Sequence, residues 1–342
     1  MNPHRKLPLL GKAKKTVESV KRLDEGGYMY YMDCFHDYYS PLIQTPIKLL
    51  GMMKKGSCSA FITCTPDGHV LTGRNYDMPH FDADNKLTGL NVVVRTAPKG
   101  KYRSISVTDA YWLTALDKSY FAGSLDNGTT DTSWLVFLPY LCMDGLNEKG
   151  LTTSILYLDI LDGETAVKQT VKGKKSVILT MLMRFMLDSC ATLEEAVKLA
   201  RSFNITNTFG KDYHLFVTDA QGNSGVFEWR HNTLTVTRCN CCTNFYLGYD
   251  DAKDCILEGG VLKEKFVRPD VVYDDCQLGY GHGYERFFTL KRGIAALKGE
   301  PFGQCRSVMD EPAARELLHS VAQEYDGGVT SYTQYSAVYD NT

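Results

Sequence analysis

The stretch from Gly56 to Pro79, GSCSAFITCTPDGHVLTGRNYDMP, constrains the fold more than any other part of the chain. Cys58 to Cys64 alternates and is flanked by small residues; Thr65-Pro66-Asp67-Gly68 follows, and then a return run from His69 to Tyr76. That is the pattern of a β-hairpin. Pro66 suits the first central position of a type I turn, Asp67 the second, and Gly68 a left-handed residue that makes a bulge. The register then pairs residues whose numbers sum to about 134. It sets Cys58 opposite Tyr76 and puts Arg74 on the same face, diagonal to the sulfur. Asp77 is expected just past the strand end, where Pro79 stops the ladder. A thiol, a guanidinium and a carboxylate converge at the open end.

A thiol attacks well only as thiolate, and its unperturbed pKa is ~8.5, so a base or a cation must stand nearby. The chain has eight histidines, but none sits in a Cys–His protease signature. The other available base is the nucleophile's own α-amino group, with a pKa of ~7.7–8.0. It exists only if residues 1–57 are cut away at the Ser57–Cys58 bond. The small Gly56-Ser57 junction crowds that bond least. On spacing alone, the plain alternative of an edge hairpin with a buried thiol stays open.

Composition narrows the class. With 342 residues, 44% apolar and 23% charged, and a net charge of -2, the chain has no basic surplus for nucleic acid or a membrane surface. No apolar run reaches the ~18 residues of a membrane span. The basic start, MNPHRKLPLLGKAKK, lacks the apolar segment of a signal peptide, so a cytoplasmic location is expected. Eleven irregularly spaced cysteines read mostly as buried, reduced thiols. The cluster Cys239, Cys241, Cys242 fits no common zinc spacing, and strand alternation would put Cys239 and Cys241 on one face.

Along the chain, Lys12 to Leu23 reads as helical, and the aromatic stretch YMYYMDCFHDYY as material that packs on the following domain. Residues 1–57 lack the pattern for a core of their own. Strands are expected over 90–96, 102–107, 133–142 and 151–158, with Asp144 to Gly150 as a polar turn. Two helices follow from Lys175, the second opened by a Thr192/Glu195 capping box, with a methionine stripe (Met181, Met183, Met186) facing the core. Strands over 213–219, 225–230 and 234–238, helices over 283–297 and 312–322, and a closing strand over 331–339 complete the order. Strand clusters alternating with paired helices indicate an α+β domain of stacked sheets covered by helices.

The hairpin resembles the start of the mature chain in N-terminal-nucleophile amide hydrolases of the choloylglycine hydrolase type, which include bile-salt hydrolases and penicillin V acylases. In that family an N-terminal Cys is followed by G-R-N-x-D, and here Cys58 is followed by Gly73-Arg74-Asn75-Tyr76-Asp77. Asp144-Gly-Leu-Asn-Glu-Lys-Gly-Leu151 is similar to the family's D-x-x-N-E-K-G-L turn, Thr243-Asn244 to its T-N motif, Tyr284-Glu-Arg286-Phe287 to its R-F motif, and Tyr332 to Asp340 to its Y-T-x-Y-S-x-V-Y-D strand. The resemblance spans residues 58–340. It implies a four-layer αββα sandwich, with residues 1–57 as a prosegment and 58–342 as the catalytic domain.

The resemblance also implies the chemistry. Cys58 is the nucleophile, Asp77 orients its α-amine, Arg74 and Arg286 set the charge around the thiolate, and the Asn244 amide binds the oxyanion. The substrate is a small N-acyl amide, opened through a thioester with no metal or organic cofactor. The cleaved prosegment can stay bound as a small subunit, and a homo-oligomer is left open. An acyltransferase of the same fold, or an unprocessed ligand-binding homologue, are the alternatives. An oxyanion-binding Asn that some bile-salt hydrolases carry about ten residues past N-E-K-G has no counterpart among Leu156 to Leu161.

Overall fold

The computed structural model describes residues 7–47, 56–81, 88–115, 125, 131–158, 166–206, 212–230, 232–247, 257–258, 261–262, 281–294, 307–324 and 332–342. Helix α1 (Gly11–Glu18) and strands β1 (Lys21–Arg22) and β2 (Met29–Cys34) come first, then helix α2 (Pro41–Ile47). The hairpin is β3 (Ser57–Cys64) and β4 (Val70–Asp77). Strands β5 (Asn91–Thr96), β6 (Ser104–Asp109), β7 (Cys142–Asn147) and β8 (Thr152–Leu158) lead to β9 (Lys175–Val177), helices α3 (Leu179–Ser189) and α4 (Leu193–Arg201), and β10 (Phe203–Ile205). Then come β11 (Asp212–Thr218), β12 (Ser224–Arg230), β13 (Thr233–Thr237), β14 (Cys241–Cys242), β15 (Leu257–Glu258) and β16 (Val261–Leu262). Helices α5 (Gly281–Gly293) and α6 (Glu311–Ser320) and strand β17 (Thr333–Asp340) close the order.

Two sheets make the core. The larger runs β1-β2-β5-β6-β7-β8-β11-β12-β13, antiparallel except for β2 beside β5. The smaller runs β14-β3-β4-β17 and is antiparallel throughout. The sheets meet at β3 and β8; α3 and α4 pack on the outer face of the large sheet, and α5 and α6 on that of the small one. The architecture is therefore the four-layer αββα sandwich. Met181, Met183 and Met186 are fully buried, as the stripe required. Thr192 Oγ1 accepts from the Glu195 N–H, as a capping residue should.

The hairpin has the expected register: Cys58 lies opposite Tyr76 and Cys64 opposite Val70. Gly68 takes φ +94° and its N–H donates to the Thr65 carbonyl, so the turn uses its glycine for backbone freedom. Gly73 has a packing reason instead, because a Cβ there would stand 2.4 Å from Cε1 of Phe61 on the facing strand.

Several expectations are corrected. The strand expected over 133–142 is absent up to its last residue, Cys142, which opens β7: Thr132–Tyr140 is a 3₁₀ helix capped by Asp131, whose carboxylate accepts from the Ser133 N–H. SWLVFLPY is apolar on every side and every residue from Ser133 to Tyr140 is buried, so the run had no alternation to report. Pro139 also lacks the N–H that a central strand needs. The first helix stops at Glu18, and Lys21 and Arg22 form an edge strand. Asp77 is the last residue of β4, paired with both Ser57 and Thr333, because β17 extends the ladder past the hairpin. Strand β7 runs through Asp144 to Asn147, which shortens the turn to Asn147–Gly150. The reading of mostly reduced thiols holds among the described residues: Cys34, Cys58, Cys142, Cys190, Cys239, Cys241 and Cys242 are free thiols, and Cys64 is disulfide-bonded. The Cys64 end of β3 is clasped by the segment at 307–309, with Cys64 N–H on the Ser307 carbonyl.

The N-terminal residues are woven into this sandwich. Strand β2 pairs in parallel with β5 from Met29 to Cys34, and the aromatic stretch is packed, with Tyr30, Met32 and Tyr38 buried. Among the described residues no helix is long and apolar enough to cross a membrane.

Candidate functional site

Strand alternation divides the open end of the hairpin between two faces. Cys58, Arg74 and Tyr76 point between the sheets, whereas Ser59, Asn75 and Asp77 point to the helical layer, where the Asn75 amide donates to the Leu318 carbonyl of α6. The thiol and the guanidinium therefore share one face, as the register required, and the carboxylate lies on the other.

Cys58 is 2% exposed. Its N–H donates to Asn244 Oδ1 at 2.7 Å. Asn244 arrives there because β14 pairs with β3, Cys242 facing Ala60, and the chain leaves that short strand directly along the hairpin's edge. The Asn244 Nδ2 donates to the Tyr157 carbonyl at 2.8 Å, so one of its two hydrogens is already committed.

Arg286 projects from α5 and grips both sides of the Ser57–Cys58 bond. Its Nη1 donates to the Cys58 carbonyl and to Ser59 Oγ (2.6 Å); its Nη2 donates to Ser57 Oγ (2.8 Å) and to Asn244 Oδ1 (2.7 Å). Asp77 Oδ2 stands 3.8 Å from Nη1. Asp77 Oδ1 accepts from Thr333 Oγ1 at 2.6 Å, but Oδ2 is buried with no hydrogen-bond partner among the described residues. Arg74 is fully buried on the same strand face as Cys58; its Nη2 donates to the Ile155 carbonyl and its Nη1 to the Asn75 carbonyl.

Charge follows from this burial. Burial pushes the Cys58 thiol up, and Arg74 pulls it back toward the thiolate while Asp77 opposes. Asp77 is pushed up to about 6 by burial, with Arg286 and the Thr333 hydroxyl working the other way. Burial lowers Arg286 from its ordinary value. Burial also works against the Arg74 charge, but Cys58 and Asp144 outweigh it and hold the guanidinium above its usual range.

All five residues singled out in the sequence, Cys58, Arg74, Asp77, Asn244 and Arg286, are thus joined around one backbone position. Residues 58–244 match the family of linear amide C–N hydrolases, choloylglycine hydrolase family. This chain belongs to that family. It is a hydrolase of carbon–nitrogen bonds in linear amides. Among solved structures, a mutant conjugated bile acid hydrolase from Clostridium perfringens is similar at 15% identity, over 82% of this chain and 85% of that one, with a TM-score of 0.51. Penicillin V acylase from Agrobacterium tumefaciens is similar at 16% identity over 83% and 80%, with a TM-score of 0.46. The likeness to the bile acid hydrolase shows a shared fold, that of the N-terminal-nucleophile hydrolases. A comparison with curated protein sequences found no match.

Several residues of this family member's site were not read from the sequence. Tyr76, opposite Cys58, donates its hydroxyl to Asp109 Oδ2 at 2.6 Å, and His80 Nε2 shares that oxygen at 2.6 Å. His214 Nε2 donates to the Thr243 carbonyl at 2.7 Å and its Nδ1 stands 3.3 Å from Glu228, behind Asn244. Neither histidine is in a short-range motif with Cys58, and only the sheet pairings bring them close. Cys239, Cys241 and Cys242 are fully buried. Among the described residues no group of three or more His, Cys, Asp or Glu side chains is placed to hold a metal ion.

Proposed function

We propose that the chain cleaves its own Ser57–Cys58 bond and then works as an N-terminal cysteine hydrolase on an N-acylated small molecule. The observation that carries this reading is the grip on the Cys58 nitrogen: its N–H is held by Asn244 Oδ1 while the side chain of the same residue shares its strand face with Arg74. In self-cleavage, Cys58 Sγ attacks the Ser57 carbonyl carbon, the C–N bond breaks, and the thiol proton passes to the nitrogen, which becomes a free amine. Water then opens the Ser57 thioester and regenerates the thiol. The Arg286 contacts to Ser57 Oγ and the Cys58 carbonyl hold both sides of that bond still. Gly56 leaves room for it, because a Cβ there would lie 2.6 Å from Met78 Cε and 3.0 Å from the Asp77 carbonyl oxygen.

In turnover, Cys58 Sγ attacks the amide carbonyl, and the α-amine carries the thiol proton to the departing amine. Water then attacks the thioester carbonyl and gives its proton to the α-amine, which passes it to the sulfur as the C–S bond breaks, releasing a carboxylic acid and regenerating the thiol. Asp77 Oδ2, which accepts no hydrogen bond among the described residues and has Arg286 Nη1 at 3.8 Å, is an acceptor for the new ammonium. The Asn244 hydrogen not given to Tyr157 is available to the oxyanion, where loss of one such donor typically costs ~2.7–4 kcal/mol of barrier. The substrate class is tested with a panel of glycine- and taurine-conjugated bile acids, penicillin V, N-acyl homoserine lactones, N-acyl amino acids and N-acylethanolamines. Hydrolysis of at least one by the wild type and by Cys190→Ala, and of none by Cys58→Ala, is expected. Turnover by Cys58→Ala equal to wild type would contradict the reading.

A further inference from the structure

Two motifs that the catalytic reading leaves unused meet the hairpin at a single buried carboxylate. Asp144, from D-G-L-N-E-K-G-L on β7, is fully buried between the sheets. Its Oδ2 lies 3.5 Å from Arg74 Nε and accepts from the Tyr335 hydroxyl; its Oδ1 accepts from the Tyr339 hydroxyl. Both tyrosines come from the closing strand Y-T-Q-Y-S-A-V-Y-D. Tyr335 also lies against Tyr76, ring centroids 5.3 Å apart, so the clamp touches the strand position facing Cys58. We propose that Asp144 is a positioning residue that holds the Arg74 guanidinium under the Cys58 sulfur and takes up part of its charge, with Tyr335 and Tyr339 setting how large that part is. The inference rests on the reading of Cys58 as the nucleophile.

The physics is a competition for one cation. Arg74 is shared between a carboxylate and a thiolate, and each partner weakens the pull on the other. The Tyr335 hydroxyl occupies the same Asp144 oxygen that faces Arg74, so it damps the carboxylate's claim. Besides Arg74, the titratable groups that bear on Cys58 are Asp77, Tyr76, Tyr213, Cys242 and Arg286. Cys142 is the further titratable neighbour of Asp144, on its own strand.

The test is the pH profile of iodoacetamide alkylation at Cys58, followed by mass spectrometry of the Cys58 peptide in processed wild type, Asp144→Asn and Tyr335→Phe. Asp144→Asn keeps the shape and removes the charge. Its profile should move about one pH unit lower, a roughly tenfold larger thiolate fraction on the acid side. Tyr335→Phe should move the profile upward by less, because the freed carboxylate oxygen draws harder on Arg74. A merely structural Asp144 moves neither profile. If Asp144→Asn does not fold, the upward shift in Tyr335→Phe decides alone. Folded variants with the wild-type profile overturn the inference while leaving the nucleophile intact. A wild-type Cys58 that does not alkylate overturns both.

Discussion

At the scale of single residues, Asp77 decides what the uncut chain can tolerate. Its carboxyl is fully buried, half satisfied, and pushed up to about 6 by that burial. Because the folded-state value is raised, the fold favours the protonated acid. The contribution to stability is therefore fully present below the ordinary value of 3.8 and is lost as pH climbs through about 6. In the Cys58→Ala background, which holds the chain uncut, Asp77→Asn should be more stable than its parent at pH 8, with the difference vanishing by about pH 4. Denaturant midpoints across that range measure it. A parent that is more stable than Asp77→Asn at pH 8 would show that Arg286 already neutralises the carboxylate in the uncut chain.

At the scale of elements, the turn between β7 and β8 holds the sheets together. The Asn147 side-chain oxygen accepts from the Lys149 and Leu151 N–H groups, and its Nδ2 donates to the Leu187 and Cys190 carbonyls at the end of α3. Gly150 takes φ +80°, and a Cβ there would stand 2.0 Å from the Asn341 carbonyl oxygen, whose side chain in turn donates to the Gly150 carbonyl. Gly150→Ala should cost at least about 1–3 kcal/mol in unfolding free energy, since strain and clash add. A loss under half a kilocalorie, on the order of an ordinary surface substitution, would mean the turn relaxes freely. What was legible in the sequence follows the same local logic. The hairpin register could be read because Pro66, Asp67 and Gly68 and the flanking alternation act within a few residues of each other. The 3₁₀ helix at Thr132–Tyr140 could not, since an all-apolar run has no period. The five candidate residues were found through separate motifs, but how they touch depends on β14 joining β3 and on Asp144, Arg74 and Tyr335 meeting across two sheets. No short-range pattern encodes those meetings.

At the scale of the whole molecule, residues before Cys58 supply structure that the rest cannot replace. Strand β2 lies in the large sheet beside β5, with Arg95 Nε on Asp33 Oδ1 at 2.6 Å. Past that strand, the Tyr38 and Tyr39 hydroxyls both donate to Asp188 on α3, and His36 Nε2 donates to the Val136 carbonyl at 2.9 Å. We expect the segment to remain docked after cleavage, because removing it would strip β5 of its neighbour and leave the Asp188 carboxylate without two donors. Processed protein should elute as one species in size-exclusion chromatography and separate into two chains only in denaturant; a catalytic chain that elutes alone with native circular dichroism would refute this. Turnover as proposed needs the free amine of Cys58, so the most direct test is the intact mass and N-terminal sequence of purified wild type and Cys58→Ala after prolonged incubation. A wild-type chain that begins at Cys58, a separate fragment ending at Ser57, and an uncut Cys58→Ala are expected. Wild-type protein that hydrolyses its amide substrate while residues 1–57 remain covalently attached would contradict that expectation.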